Sequence, residues 1–238
     1  VGVRVVGLLL AAGRGRRFAA ARADRAGRPA GTHGAADLRG GPSPTSVGDG
    51  GAGGPPDDAL PDDKLLARVD GAPVARRALD ALRAGCDAVI AVVRPDGSPA
   101  LRDALAGARI VECPDADLGM GHSLAAAARA AIDDAANAVL VMPADMPWLA
   151  PETARAIAEA AREGGEDARA VRIVVPELPD GRRGHPVAFG AAHLPALARL
   201  SGDRGARALL DAFPLRLVQV DDAGILRDVD TPRDLPPS

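Results

Sequence analysis

At 238 residues the chain has room for one α/β domain with a full core, or for two small ones. A net charge of −3 at pH 7 leaves no basic excess to displace counterions, which argues against a general nucleic-acid binder. Cys86 and Cys113 are too few for a disulfide framework or a zinc site, and no apolar run nears the ~20 residues of a membrane span. A reducing cytoplasm without membrane partners is the expected setting.

Val5 to Phe18 (VVGLLLAAGRGRRF) is the first patterned stretch. Its near-continuous apolar run suits a parallel strand covered on both faces. Gly13 and Gly15 then allow a sharp turn and a close backbone approach, since neither carries a Cβ. Arg14, Arg16 and Arg17 add positive charge where backbone N–H groups should point outward, as a phosphate chain requires. From about residue 19 to 61 the sequence turns to Gly, Pro, Ala, Asp and Ser, with too few large apolar side chains to offset ordering entropy. A disordered insertion is expected there. Lengthening a loop from roughly eight to roughly forty residues costs only about 1.5 kcal/mol in closure entropy.

Patterning resumes at Lys64-Leu65-Leu66, followed by an Asp70-Gly71 turn and a helix over Pro73 to Ala84 that stops at Gly85. Asp87 to Val93 reads as a strand, Ser98 to Ala106 as a short helix and Ala108 to Glu112 as a strand. Next comes a helix from Leu124 to about Ile132, with Ser123 as its N-cap. The strand Asn137 to Met142 ends at Pro143-Ala144-Asp145-Met146-Pro147, and Pro151 opens another helix at its first turn. Val171 to Pro176 and Leu215 to Val220 are strand-like. His185 to Phe189 is a short extended piece, and two helical stretches lie near 191–200 and 203–212. Strands alternate with helices, which predicts a mostly parallel sheet between helical layers and a ligand crevice at the carboxyl ends of its strands.

Asp145 is the best-placed carboxylate, because it lies just past a strand and so projects into that crevice. A hard carboxylate oxygen there suits Mg²⁺, which binds through one or two carboxylates plus substrate phosphates. The alternative is a cap for the helix opening near Pro151. Asp230, with Asp228 as the alternate, sits in a Thr-Pro turn and could give a second carboxylate or simply form an Asx turn. Spacing alone gives Lys64 no standing, and His185 is either a ligand contact or a turn residue. A dinucleotide fingerprint lacks its third glycine, a P-loop lacks its Gly-Lys-Ser/Thr, and a serine hydrolase lacks its nucleophile elbow.

Several short motifs then occur in one order: Leu10-Ala11-Ala12-Gly13-x-Gly15-x-Arg17, Lys64-Leu65-Leu66, Gly119-Met120 with Ser123-Leu124, Asp145-Met146-Pro147, Gly184-His185-Pro186-Val187, Gly202-Asp203 with Gly205-Ala206-Arg207, and Asp228-Val229-Asp230-Thr231-Pro232. Together they resemble the MobA-like nucleotidyltransferases, most closely the molybdenum cofactor cytidylyltransferases, over nearly the whole chain except the insertion. The resemblance implies a single domain with a three-layer α/β/α Rossmann-like fold. It implies transfer of CMP from CTP to the terminal phosphate of molybdopterin, the organic part of the molybdenum cofactor, with pyrophosphate leaving.

By the same resemblance Leu10, Ala11, Ala12, Gly13, Arg14, Gly15 and Ser123 would bind the nucleotide, with Arg17 and Lys64 neutralising the pyrophosphate. Asp145, with Asp230 or Asp228, would bind Mg²⁺, and Gly184, His185 and Pro186 would lie on the acceptor side. A recipient molybdoenzyme is a further implied partner. Alanine at position 12, where guanylyl members tend to carry glycine, resembles the cytidine-selecting variant. Rival readings within the same frame are guanylyl transfer from GTP, cytidylyl transfer to another phosphorylated metabolite, and a non-catalytic carrier of the cofactor. Two positions depart from the family pattern: the insertion separates Lys64 from the loop, and Phe18-Ala19 replaces the usual Met-Gly.

Overall fold

A computed structural model describes residues 2–26, 61, 63–203 and 205–236. In chain order its first half comprises β1 (Val5–Leu10), α1 (Arg16–Ala26), the hairpin strands β2 (Arg68–Val69) and β3 (Ala72–Pro73), α2 (Val74–Arg83), β4 (Ala88–Val93), α3 (Pro99–Ala104), β5 (Arg109–Glu112) and α4 (Met120–Asp133). The second half comprises β6 (Ala138–Pro143), α5 (Pro151–Arg162), α6 (Glu166–Ala170), β7 (Ile173–Glu177), β8 (Val187–Gly190), α7 (Leu194–Leu197), α8 (Arg207–Ala212) and β9 (Leu215–Gln219). The main sheet runs β5-β4-β1-β6-β8-β7-β9. Within it β8 alone is antiparallel to its neighbours, so the expected mostly parallel α/β sheet is the one observed.

Successive side chains of β1 point to opposite faces, and each face has its own core. Val5 and Leu9 pack with α2 and α5, while Val6 and Leu8 pack with α4 and α7. Gly7 falls on the α2 side, where a Cβ would meet Leu82 at 3.0 Å and Cys86 at 3.1 Å. With few aromatics available, aliphatic side chains and alanine fill both layers. The three-layer architecture follows from this two-sided burial.

Three expectations need correction. Residues 19–26 are not part of a disordered insertion but continue α1. Its run of alanine and arginine has high intrinsic helix propensity, and Phe18, fully buried in the core, anchors the first turn with roughly 1.5–3 kcal/mol of apolar burial. The remainder of the expected insertion, 27–60, lies outside the described residues.

The helix expected from Leu124 begins instead at Met120, and Gly119 takes the cap position with no side-chain cap bond. Ser123 is therefore not an N-cap; it lies buried within the helix. The cause is steric: a Cβ on Gly119 or Gly121 would overlap the Ser201-Gly202 backbone, so two glycines admit the close approach that starts the helix early. The stretch near 191–200 is also broken, a 3₁₀ turn (Ala191–His193) running into the four-residue α7.

The Asp70-Gly71 turn closes the β2–β3 hairpin with both residues at positive φ, 48° and 80°. No described helix is long and apolar enough to cross a membrane.

Candidate active site

Leu10 of β1 is in register with Pro143 of β6, so the glycine turn and the Asp145 turn leave the same edge of the sheet. The Ala11 amide donates to Val92 O at 2.9 Å and the Ala144 amide to Leu10 O at 3.0 Å, which ties three adjacent strand ends together. Beyond Ala11 the chain makes its turn through Gly13 and Gly15, the latter at φ 57°. Among the described residues, the amides of Ala12, Gly13, Arg14 and Gly15 have no hydrogen-bond acceptor. Four such donors ahead of the first turn of α1 are suited to an anion.

Lys64 is set against this turn by its own local structure. Asp63 caps the short 3₁₀ turn Lys64–Leu66, its Oδ1 accepting the Leu65 amide at 2.9 Å, and buried Leu65 anchors the turn to the core. The Lys64 stem passes Gly15, where a Cβ would lie 3.4 Å from Cγ. Its ammonium then donates to Asp145 Oδ2 at 2.7 Å and to Asp230 Oδ1 at 3.2 Å. Arg17 reaches the same Asp230 from α1, Nη1 to Oδ2 at 2.6 Å. Gly15, Arg16, Arg17, Lys64 and Asp230 line a cavity of about 220 Å³.

The titrations follow from these contacts. Burial disfavours the Lys64 ammonium, but the carboxylates of Asp145 and Asp230 outweigh it and raise its pKa, so the side chain stays charged. Burial likewise opposes ionisation of Asp230, and the hydrogen bonds from Lys64 and Arg17 reverse that, holding the carboxyl below the usual range. Asp228 is pushed the other way, first by burial and then by the like charges of Asp145 and Asp230. One oxygen from each of Asp145, Asp228 and Asp230 lies within 4.8 Å of the others, so both candidate second carboxylates, not one, join Asp145.

A hard divalent cation fits this donor set, and one observation speaks for it beyond composition. Asp145 Oδ1 is buried and has no hydrogen-bond partner among the described residues, an arrangement that is costly for a carboxylate unless a cation satisfies it. The competing role for Asp145 is not the one it takes: α5 starts after Ala150 without a side-chain cap, and its start is held by Asp222, whose Oδ2 accepts from the Ala150 amide at 2.9 Å and from Thr153 Oγ1 at 2.7 Å.

The other expected site residues divide. Leu10, Ala11 and Ala12 form the strand end beneath the turn, with Ala11 and Ala12 buried. Gly184 and His185 pack against the turn Ala223–Leu226, which leads into Asp228 and Asp230. The His185 amide donates to Ile225 O at 3.0 Å, and a Cβ on Gly184 would fall 2.0 Å from that same oxygen. His185 is half-buried near Asp145 and Asp228, and desolvation lowers its pKa. Trp148 is half-buried, with the Arg227 guanidinium 4.1 Å from its ring centroid. Arg14 binds Asp117, a residue that nothing in its own stretch of sequence singled out.

Free backbone donors, two cationic side chains and three carboxylates at one strand end are an arrangement that can hold a nucleoside triphosphate with a divalent cation. Residues 54–220 match the model of the MobA-like NTP transferase domain, and the chain belongs to that family. It is 30% identical over 125 residues to the purine catabolism protein PucB of Bacillus subtilis (strain 168), an alignment that takes in 51% of this chain and 57% of that protein. The chain thus matches little more than half the length of this curated relative.

Among solved structures it is similar to Rv0371c from Mycobacterium tuberculosis H37Rv (TM-score 0.67, 26% identity, 98% of this chain and 96% of the other), which has also been crystallised as a complex with manganese. The fold is shared with a 4-diphosphocytidyl-2C-methyl-D-erythritol synthase (TM-score 0.60, 16% identity, 98% and 95% covered).

Proposed function

We propose that the chain transfers CMP from CTP to the terminal phosphate of molybdopterin, with Mg²⁺ as the resident cation. One observation carries the reading: Lys64 joins the glycine turn to Asp145 and Asp230 at a single edge of the sheet. In such a transfer an oxygen of the acceptor phosphate attacks the α-phosphorus of CTP. The bond to the β-phosphate oxygen breaks, and pyrophosphate leaves. Both partners are anions, so the protein's task is charge neutralisation and in-line alignment rather than covalent chemistry. Bound by Asp145, Asp228 and Asp230, Mg²⁺ would supply Lewis-acid neutralisation of phosphate oxygens.

The remaining roles belong to side chains. The amides of residues 12–15 would cradle the triphosphate. Lys64, kept protonated by its carboxylate neighbours, and Arg17, which is largely exposed, would exchange their aspartate partners for the departing pyrophosphate. Gly184, His185 and Pro186 would border the acceptor, and Ser123 the nucleoside. Buried Ala12 supports a pyrimidine preference through the resemblance already described.

The test is pyrophosphate release from CTP and from GTP, each with molybdopterin and Mg²⁺. The reading requires CTP to be preferred at least tenfold. Preference for GTP would overturn the base assignment, and absence of Mg²⁺-dependent release with either would overturn the transfer itself.

A further inference from the structure

Besides the Lys64 stem packed on Gly15, the glycine turn is tied down by one ion pair among the described residues, Arg14 to Asp117. Arg14 Nε donates to Asp117 Oδ1 at 2.5 Å, and Arg14 Nη2 binds Asp117 Oδ2, so the guanidinium is gripped by both oxygens. Arg94, at the end of β4, binds the same carboxylate through Nη1. It also forks onto Asp96, with Nε to Oδ1 at 2.8 Å and Nη2 to Oδ2 at 3.0 Å. Only 16% of the Arg94 side chain is exposed, against 47% of Arg14. The inner arginine is thus a brace and the outer one the connection. Hydrogen bonds from both arginines hold the Asp117 carboxyl well below the usual carboxylate range, so it is ionised at neutral pH.

The two ends of this tether are packed differently. Asp117 sits in the 3₁₀ segment Pro114–Leu118, which runs into Gly119 at φ 127° and then α4. That junction is wedged: the Gly121 amide donates to Gly202 O at 2.8 Å, and neither Gly119 nor Gly121 leaves room for a Cβ. The turn, by contrast, has open space beside it at Gly13, where a Cβ would touch nothing within 4 Å. A glycine-rich turn loses much backbone entropy on ordering, and a bidentate ion pair to a fixed post lowers the freedom it must give up when a ligand arrives.

We infer that Asp117 is a positioning residue for nucleotide binding: through Arg14 it straps the Gly13–Gly15 turn in the shape that receives a triphosphate, with Arg94 bracing the carboxylate. The inference rests on the reading of that turn as the triphosphate site. Asp117 touches no reacting atom, so its effect belongs in the Michaelis constant rather than in turnover.

The test compares wild type, Asp117→Ala and Asp117→Glu in two independent measurements. Hydrogen exchange of the free protein reads the turn without any nucleotide. The Ala19 amide, which donates to Gly15 O at 3.0 Å, should exchange at least tenfold faster in Asp117→Ala, while those of β1 and of the middle of α4 stay as in wild type, and Asp117→Glu should restore most of the protection. Steady-state pyrophosphate release should show the KM for CTP rising about tenfold in Asp117→Ala with kcat within threefold, and partial recovery in Asp117→Glu. Unchanged exchange would overturn the strap. Tighter CTP binding by Asp117→Ala would overturn it too, since Asp117 would then be a competitor that withholds Arg14 from phosphate. Wild-type protein that binds no CTP at all is a different failure, that of the triphosphate reading, and the exchange result still decides whether the turn is strapped.

Discussion

Asp228 contributes to the site what it costs the fold. It is exposed beside Asp145 and Asp230, and its ionised form is disfavoured by partial desolvation and by both neighbours. An acid whose folded pKa is raised destabilises the protein at any pH above its unfolded value. Asp228→Asn should therefore raise the melting temperature by about 1–3 °C, a small gain because solvent screens much of the repulsion. The same change should lower Mg²⁺-dependent pyrophosphate release by roughly a hundredfold if all three carboxylates share the cation. A variant both less stable and fully active would contradict that sharing.

At this scale the sequence is a partial guide. Asp145 was legible because a carboxylate one turn past a buried strand must face the crevice. Lys64 was not legible from spacing, since 81 residues separate it from the carboxylate it touches. Asp117 carried no signal of its own, because its partner Arg14 lies 103 residues away.

Two segments hold the carboxylates in place, and each rests on one local contact. The start of α5 depends on Asp222, whose second oxygen also accepts the Gly224 amide at 2.8 Å. Losing a carboxylate that holds a helix start, as losing a cap does, costs about 1–2 kcal/mol, so Asp222→Ala should lower the melting temperature by about 2–8 °C, as thermal denaturation will show. The approach of Gly184 to Ile225 is closer than any side chain permits. Gly184→Ala must push the Ala223–Leu226 turn outward and carry Asp228 and Asp230 with it. It should lower activity at least tenfold and stability by about 1–3 kcal/mol. Wild-type kinetics in that variant would remove this turn from the site's support.

Helix boundaries were the least legible feature here. Composition marks residues 19–26 as low complexity, yet alanine and arginine behind a buried Phe18 are good helix formers. Ser123 has the chemistry of a cap, but the glycines before it admit the Gly202 backbone and start the helix earlier.

Across the whole molecule, alternation of strand and helix sufficed to predict a mostly parallel sheet with its crevice at the carboxyl ends. Alternation says nothing of direction within a pair, so the reversal of β8 between β6 and β7 had no signature in the sequence. Acid stability is a property of the same scale. The Val5 amide, donating at 2.7 Å, and then Arg162 at 3.1 Å hold the Asp87 carboxyl below its ordinary pKa and so secure the start of the central strand. A depressed acid stabilises above its unfolded pKa and loses that contribution as pH falls through the folded one. Wild type should thus weaken as the pH falls below the ordinary aspartate range. Asp87→Asn should be less stable at pH 7 and show a flatter denaturant midpoint over the same fall in pH. An unchanged acid limb would mean that half-exposed Asp87 is already screened.

Everything turns on whether the carboxylate touching Lys64 takes part in the chemistry. The direct measurement is Mg²⁺-dependent pyrophosphate release from CTP and molybdopterin by wild type and Asp145→Asn, alongside their thermal melts. The account predicts loss of at least a hundredfold in the variant with the folded state retained. Activity within tenfold of wild type would contradict it.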